Sequence, residues 1–153
     1  MYDNTKEVEL ATNDIKLILK SDSKNESLAR VAISAFIAQL DPIVSDIDEI
    51  KTAVSEAVTN AIIHGYNGST EGEIILYASY TGNQIYIEVK DAGIGISDIE
   101  EARTPLFTSK PELERSGLGF TVIESFMDKL EIESLIGEGT TVKMYKKLTT
   151  PTN

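Results

Sequence analysis

The sequence predicts an α+β fold, a two-layer sandwich in which helices cover one face of a mostly antiparallel, mixed sheet. Three observations lead to this prediction. Five short segments are predicted as strands, and the clearest of them, residues 84–90, alternates apolar and polar side chains. Such alternation is typical of an antiparallel sheet with one solvated face. Two amphipathic helices follow the first strand and a third precedes the last two strands, so that all of them can share the other face.

Composition predicts one globular domain. The chain has 153 residues, of which 41% are hydrophobic and 25% charged, a composition that excludes a largely disordered chain. No apolar run approaches the roughly 20 residues that span a bilayer, and the polar start of the chain does not resemble a signal peptide. The lack of cysteine excludes disulfides and thiolate metal sites. The net charge of −11 disfavours nucleic acid and anionic membranes as partners, and a cytoplasmic location is expected.

The first half of the chain is predicted to form a strand and then two helices. Residues 1–13 are expected to be a polar lead-in, and residues 14–20 alternate like a half-buried strand. Asn25 is the predicted N-cap of the first helix, which ends near Leu40 because Pro42 follows. The predicted apolar stripe of that helix consists of Leu28, Val31, Ala32, Ala35, Phe36 and Leu40.

The second helix is predicted to start near Ser45 or Asp46. Asp46 and Glu49 have the spacing of a capping box, in which two side chains satisfy the first free N–H groups of a helix. The predicted apolar stripe consists of Ile47, Ile50, Val54, Ala57, Val58, Ala61 and Ile62.

The second half is predicted to be mainly sheet. A tight turn at Gly82 joins two strands, and the weakly patterned stretch 97–116 has the length of a functional lid. The domain is predicted to span 14–148, followed by a loose tail over 149–153. Its remaining elements are strands over 73–80 and 84–90, a helix over 118–127, and a hairpin of strands over 130–135 and 140–147.

The first candidate site lies on the second helix, where Glu56, Asn60 and His64 follow one another at steps of four. This spacing puts the three side chains on one helix face. An amide oxygen can bind Mg²⁺, and a carboxylate can accept a proton from an attacking hydroxyl group. The alternative interpretation is a solvated polar face, with His64 packing at the end of the helix.

The second candidate site is the run Asp91-Ala92-Gly93-Ile94-Gly95, where a strand ends. Glycines there allow a ligand to approach the backbone closely, and the aspartate can accept a hydrogen bond from an exocyclic amine such as that of adenine. The run lacks the third glycine of a dinucleotide-binding fingerprint. A glycine-rich turn is the alternative.

The third candidate site is the start of the helix predicted over 118–127. Glycines at a helix N-terminus expose N–H groups and the positive end of the helix dipole, which together favour phosphate. The preceding lid carries two basic residues that can meet a terminal phosphate. The alternatives are a hinge and solvated charges. The residues concerned are Lys110, Arg115, Ser116, Gly117, Leu118 and Gly119.

The fourth candidate site is the hairpin sequence Gly137-Glu138-Gly139-Thr140-Thr141. A hairpin turn explains its glycines without any ligand. Thr141, at the start of the last strand, can hydrogen-bond a base.

Taken together and in this order, the four motifs resemble the GHKL ATPase superfamily, whose nucleotide domain has the Bergerat fold. Within it, the chain resembles the small serine kinases that act as anti-sigma factors. The stretches SEAVTNAIIHGY, DAGIGI and PLFTSKPELERSGLGF carry the likeness, which covers residues 25–147.

The resemblance implies a role for each matched residue. Glu56 would be the general base that takes the proton of the substrate serine, and Asn60 would hold Mg²⁺ on the phosphates. Asp91 would bind the adenine amine, with Gly93 and Gly95 letting the base lie close.

The remaining matched residues would bind the rest of the nucleotide. Arg115, with Lys110 beside it in the lid, would face the terminal phosphate, and Thr141 would lie near adenine. The phosphate cradle would be formed by Ser116, Gly117, Leu118 and Gly119.

The resemblance further implies an ATP- and ADP-binding, Mg²⁺-dependent kinase that sequesters a sporulation sigma factor of the sigma-F type. It would phosphorylate a serine of an anti-anti-sigma factor and act as a homodimer. Arg30, outside the predicted apolar stripe of the first helix, is a candidate partner contact or simply a solvated charge. The alternative function is a partner-switching module that binds ATP without transferring phosphate.

Overall fold

A computed structural model describes residues 12–104 and 119–149. No helix in this part of the chain is long and apolar enough to cross a membrane. The elements are β1 (Thr12–Lys20), α1 (Lys24–Ala38), α2 (Val44–Asn60), a π-helical turn (Ala61–Gly65), β2 (Glu73–Thr81), β3 (Gln84–Asp91), α3 (Ile99–Ala102), α4 (Gly119–Phe126), β4 (Lys129–Leu135) and β5 (Gly139–Lys147).

The strands form one sheet in the order β1-β2-β3-β5-β4. Each neighbouring pair is antiparallel, so the sheet of the described residues is not mixed, contrary to the prediction. The reason is that β1–β2, β2–β3 and β4–β5 each run in opposite directions, and β5 also lies antiparallel to β3. This order puts the end of β3 beside the start of β5 in the inner part of the sheet.

The helices cover one face of the sheet, as predicted for a two-layer α+β fold. Along β2, buried side chains alternate with half-exposed ones, and the buried set faces α1 and α2. On the open face, the rings of Tyr77, Tyr86 and Tyr145 lie next to one another. The fully buried large side chains include Ile33, Ile37, Ile50, Val54, Val58, Ile74, Leu76, Ile85, Ile87, Val89, Ile123 and Met144.

The predicted apolar stripe of α1 is largely wrong. Leu28 and Val31 are 52% and 63% exposed, and Ala35 is exposed as well. Nearly every residue in this part of α1 is apolar, so two stripes at helical spacing compete for the core. The one with the larger side chains removes more apolar surface from water and is buried. It consists of Ala29, Ile33, Phe36 and Ile37.

The predicted caps of the two long helices are also wrong. Asn25 lies inside α1 and donates to the carbonyl oxygen of Lys20 at 2.9 Å; the N–H of Lys24 is instead bound by Asp22 at 2.9 Å. The N-cap of α2 is Ile43, which makes no capping hydrogen bond.

The capping-box aspartate, Asp46, serves the other end of the chain. Its Oδ2 accepts the N–H of Thr149 at 2.7 Å, so Thr149, predicted as part of a loose tail, is attached to the start of α2. At the first strand, β1 begins at Thr12 and takes in two residues of the predicted lead-in.

Candidate active site

A cavity of about 410 Å³ opens where α2, the π-helical turn, the loop after β3, the start of α4 and β5 meet. Its volume lies within the usual range of small-molecule sites. Apolar side chains such as Val89, Val142 and Phe120 form much of its wall, and Asp91, Asn60 and His64 are among its polar residues. The cavity therefore suits a ligand with a flat apolar part and a few polar groups.

The helical wall of the cavity changes its hydrogen-bonding pattern at Asn60. After this residue the chain widens into a π-helical turn, closed by the N–H of Tyr66 donating to the carbonyl oxygen of Ala61 at 3.0 Å. Such turns are frequent at functional sites. Asn60, His64 and Gly65 line the cavity. Glu56, one helical turn earlier, is half-buried and is not among the described residues that line it.

The π-helical turn and the loop after β3 touch through their backbones. The N–H of Ile94 donates to the carbonyl oxygen of Gly65 at 2.9 Å. A Cβ atom on Gly93 would lie 1.9 Å from that oxygen, and one on Gly65 would lie 2.9 Å from the Asp91 carboxylate. Gly93 therefore requires glycine, because any side chain there would push the loop away from the helix, and a side chain at Gly65 would displace the Asp91 carboxylate.

Asp91 is the buried carboxyl group of the cavity, only 6% exposed. Its Oδ1 accepts the N–H of Gly93 at 2.9 Å, and the backbone N–H of Thr140 is a second donor. Burial raises the pKa of Asp91, and the two backbone hydrogen bonds partly oppose that rise. Because an ionised carboxylate has about four acceptor positions, Asp91 can still accept a hydrogen bond from a ligand.

The β5 threonine that lines the cavity is Thr140 rather than the predicted Thr141. Thr140 pairs with Asp91 across β3 and β5, is buried and lines the cavity. Thr141 points to the opposite face because side chains alternate along a strand. Val142 and Met144 are inward-facing apolar residues of β5. Thr140 has the same parity along the strand, so the alternation in the sequence already indicates that Thr140 faces inward and Thr141 outward.

The β4–β5 hairpin supports the other side of the loop after β3. The N–H of Gly137 donates to the carbonyl oxygen of Ile94 at 2.9 Å, and the N–H of Ile96 donates to Ser134 Oγ at 2.7 Å. Gly95 has a φ of +79°, and a Cβ atom there would lie 2.3 Å from the carbonyl oxygen of Leu135. Sequence reasoning missed Ser134, which is one polar residue among many in β4.

The start of α4 lies against the amide of Asn60. A Cβ atom on Gly119 would be 2.8 Å from Asn60 Nδ2, and Gly119 lines the cavity. An amide oxygen in this position fits Mg²⁺, which is commonly held by one or two protein groups together with substrate phosphates. The predicted site residues Lys110, Arg115, Ser116, Gly117 and Leu118 lie outside the described residues.

Arg30, the predicted partner contact, lies on α1 and is not among the described residues that line the cavity. Its side chain is 42% exposed, with Nη1 3.8 Å from Glu26 Oε1. Glu26 also accepts the hydroxyl of Ser55 from α2. Arg30 thus belongs to the surface formed by the exposed side of α1.

Comparisons with known proteins agree with this geometry. The family model described as a histidine kinase-like ATPase domain matches residues 19–146. An anti-sigma F factor from Anoxybacillus flavithermus is 53% identical over 137 residues, which cover 90% of this chain and 94% of that protein. An anti-sigma F factor from Bacillus subtilis is 52% identical over 136 residues, covering 89% and 93%.

Solved structures show the same fold. The RsbU and RsbW domains of Rv1364c from Mycobacterium tuberculosis match with a TM-score of 0.68 at 22% identity, covering 91% of this chain and 33% of that one. The catalytic domain of the histidine kinase ThkA matches with a TM-score of 0.55 at 18% identity, covering 88% and 95%.

Proposed function

Because the chain belongs to the histidine kinase-like ATPase domains and, within them, to the family of the anti-sigma F factors, we propose that it sequesters a sigma factor and is an ATP-dependent protein serine kinase. The observation that carries the nucleotide part of the proposal is the buried Asp91 carboxylate on the wall of a cavity of nucleotide size.

The base of ATP would lie between the loop after β3 and the apolar wall. Asp91 would accept a hydrogen bond from the exocyclic amine of adenine, since two backbone N–H groups already hold its carboxylate. Val89 and Val142 would pack against the ring. An oxo group in place of the amine would face the carboxylate without a proton, so adenine would be preferred over hypoxanthine.

The phosphates would extend towards Asn60 and Gly119. Asn60 would bind Mg²⁺ through its amide oxygen, and the ion would neutralise charge on the phosphate chain. The N–H groups at the start of α4 would favour the same anionic groups. From the family resemblance, Arg115 and Lys110 would face the terminal phosphate, and Ser116 to Leu118 would complete the cradle.

The transfer step would be an in-line displacement at the terminal phosphorus of ATP. The serine hydroxyl oxygen of the substrate protein forms the new bond to phosphorus, the bond to the bridging oxygen breaks, and ADP leaves. Glu56 would accept the serine proton, which makes the oxygen more nucleophilic as the new bond forms.

The partners follow from the family. Relatives that are more than half identical over most of their length are named anti-sigma F factors, which supports a sigma factor of that type as the sequestered partner. The serine substrate would be an anti-anti-sigma factor, Arg30 would contact a partner, and the chain would form a homodimer. The compartment is then the cytoplasm, where sigma factors act.

A direct test is to incubate the protein with γ-labelled ATP, Mg²⁺ and candidate anti-anti-sigma proteins, and then to map the phosphate. We expect one labelled serine on the substrate and none without Mg²⁺. Binding of ATP and of the sigma factor without any labelling of a substrate would favour the alternative, a partner-switching module that transfers nothing.

The variant Glu56→Gln separates the two possibilities at the level of one residue. Gln retains the size and helix propensity of Glu but cannot take up the proton, so we expect phosphate transfer to fall about 10²–10⁴-fold while ATP and the sigma factor still bind. Single-turnover transfer at saturating ATP, with a pull-down of the sigma factor, measures both. Transfer near the wild-type rate would remove Glu56 from the role of base.

A further inference from the structure

Tyr66 follows directly after the π-helical turn and bridges two neighbouring strands. Its hydroxyl accepts the backbone N–H of Ala92 at 2.8 Å and donates to the carbonyl oxygen of Glu73 at the start of β2. Ala92 is the residue next to Asp91. One phenol group therefore joins the backbone beside the buried carboxylate to the end of the adjacent strand.

The ring of Tyr66 has little freedom to move. A Cβ atom on Gly72 would lie 2.4 Å from the ring, so Gly72 leaves the space that the ring fills. Gly72 is in turn fixed by two hydrogen bonds with the buried Ser21. The N–H of Ser21 donates to the carbonyl oxygen of Gly72 at 2.9 Å, and the N–H of Gly72 donates to Ser21 Oγ at 3.0 Å. The hydroxyl is thus aimed at Ala92 by packing on the far side of the ring.

Tyr66 and its neighbour hold two points of the same loop. The carbonyl oxygen of Gly65 accepts the N–H of Ile94 at 2.9 Å, and the hydroxyl of Tyr66 accepts the N–H of Ala92. The N–H of Gly93, between them, donates to Asp91. Three successive amides of the loop therefore fix its path, and of their two acceptors that belong to the π-helical region, the Tyr66 hydroxyl is the side chain and the Gly65 carbonyl the backbone group.

From this arrangement, and resting on the proposed adenine binding, we propose that Tyr66 is a positioning residue that sets the selectivity of the site for a 6-amino purine. It acts through Asp91: with Ala92 held, the carboxylate remains where it can meet the amine of the base. Precise placement of a recognition group by a supporting shell is what separates a selective site from a loose one.

Removal of the hydroxyl alone tests this inference. In Tyr66→Phe the ring still packs against Gly72, but Ala92 N–H loses its acceptor. Ala92 is exposed, so its N–H can then bond to water, and the expected effect is the net contribution of one hydrogen bond, a loss of roughly two- to tenfold in ATP affinity. Inosine triphosphate, which carries an oxo group in place of the amine, gains nothing from a well-placed carboxylate, so its affinity should change much less.

The measurement is the ratio of the affinities for ATP and inosine triphosphate, obtained by calorimetry with Mg²⁺ on the whole chain. Tyr80→Phe is the matched control, since it removes a hydroxyl that donates to Gln39 Oε1 at 3.0 Å from a buried tyrosine outside the cavity lining. We expect the ratio to fall in Tyr66→Phe and to stay at the wild-type value in the control.

The possible failures are distinguishable. A wild-type protein that binds both nucleotides equally would overturn the proposed role of Asp91 and this inference with it. A wild type that prefers ATP, together with an unchanged preference in Tyr66→Phe, would overturn the role of Tyr66 alone. If Tyr66→Phe does not fold, Gly72→Ala displaces the ring while keeping the hydroxyl; a fall in the ratio supports the inference and an unchanged ratio overturns it.

Discussion

At Asp91, burial and hydrogen bonding act on the pKa in opposite directions, and burial is the larger effect. The folded protein therefore keeps a proton on this carboxyl group at a pH where an ordinary aspartate has lost it. Since the protonated folded form is the favoured one, Asp91 contributes less to stability as the pH rises through its raised pKa. Binding of an adenine amine should instead become stronger as the pH rises, because the amine donates to the ionised carboxylate of Asp91.

We therefore expect nucleoside affinity to fall on acidification at a pH above the usual range of an aspartate. Adenosine is the proper probe, since it has no phosphate groups that titrate. Its affinity, measured by calorimetry across the acid range, should decline as Asp91 takes up its proton. Asp91→Asn should bind weakly at every pH, because its amide presents a donor on one side. An affinity of the wild type that does not change over the range would contradict the assignment.

At the scale of the element, α1 has two apolar sides of which one is buried. Ile33 lies in the core, whereas Val31 is 63% exposed. Ile33→Ala should lower the free energy of unfolding by about 2–5 kcal/mol, since it leaves a cavity. Val31→Ala should change it by no more than about 0.5 kcal/mol. Urea unfolding of both variants measures the difference, and a loss in Val31→Ala as large as that in Ile33→Ala would contradict the exposed position of Val31.

The elements show what a sequence pattern can and cannot predict. Alternation predicts β3 over 84–90, and the observed strand is Gln84–Asp91, because a period of two leaves no choice of face. In α1, apolar residues occupy more than one face of the helix, so the sequence alone does not show which face is buried. Packing against the rest of the protein decides that Ile33, and not Val31, lies in the core. The same limit applies to the site: Asp91 is evident at a strand end, while Tyr66 and Ser134 act through contacts that join distant parts of the chain.

At the scale of the whole molecule, Lys146 joins three elements. Its Nζ lies 3.0 Å from Glu49 Oε2 of α2 and donates to the carbonyl oxygen of Phe126, at the end of α4, at 2.7 Å. The side chain is only 9% exposed. A single ammonium group thus holds the last strand against α2 and α4, two of the helices that border the cavity.

Lys146→Met keeps the apolar stem and removes the charge. Phe126 then loses its donor, and we expect the free energy of unfolding to fall by about 1–3 kcal/mol. Lys129→Met is the matched control: it breaks an exposed pair with Glu131 and should leave stability nearly unchanged. Thermal or urea unfolding compares the two. A loss in the control as large as that in Lys146→Met would mean that burial of the pair is not what matters.

The pairing of Asp91 with Thr140 also has a consequence for biosynthesis. Chains are made from the N-terminus at about 5–20 residues per second, so Asp91 leaves the ribosome several seconds before its partner strand exists. Until β5 has paired with β3, one of the N–H groups that hold the carboxylate is missing. A nascent or proteolytically shortened chain that ends within β4 would carry Glu56, Asn60 and Asp91 and still lack the wall formed by β5. Nucleotide binding would therefore require that β5 has been synthesised and has paired with β3.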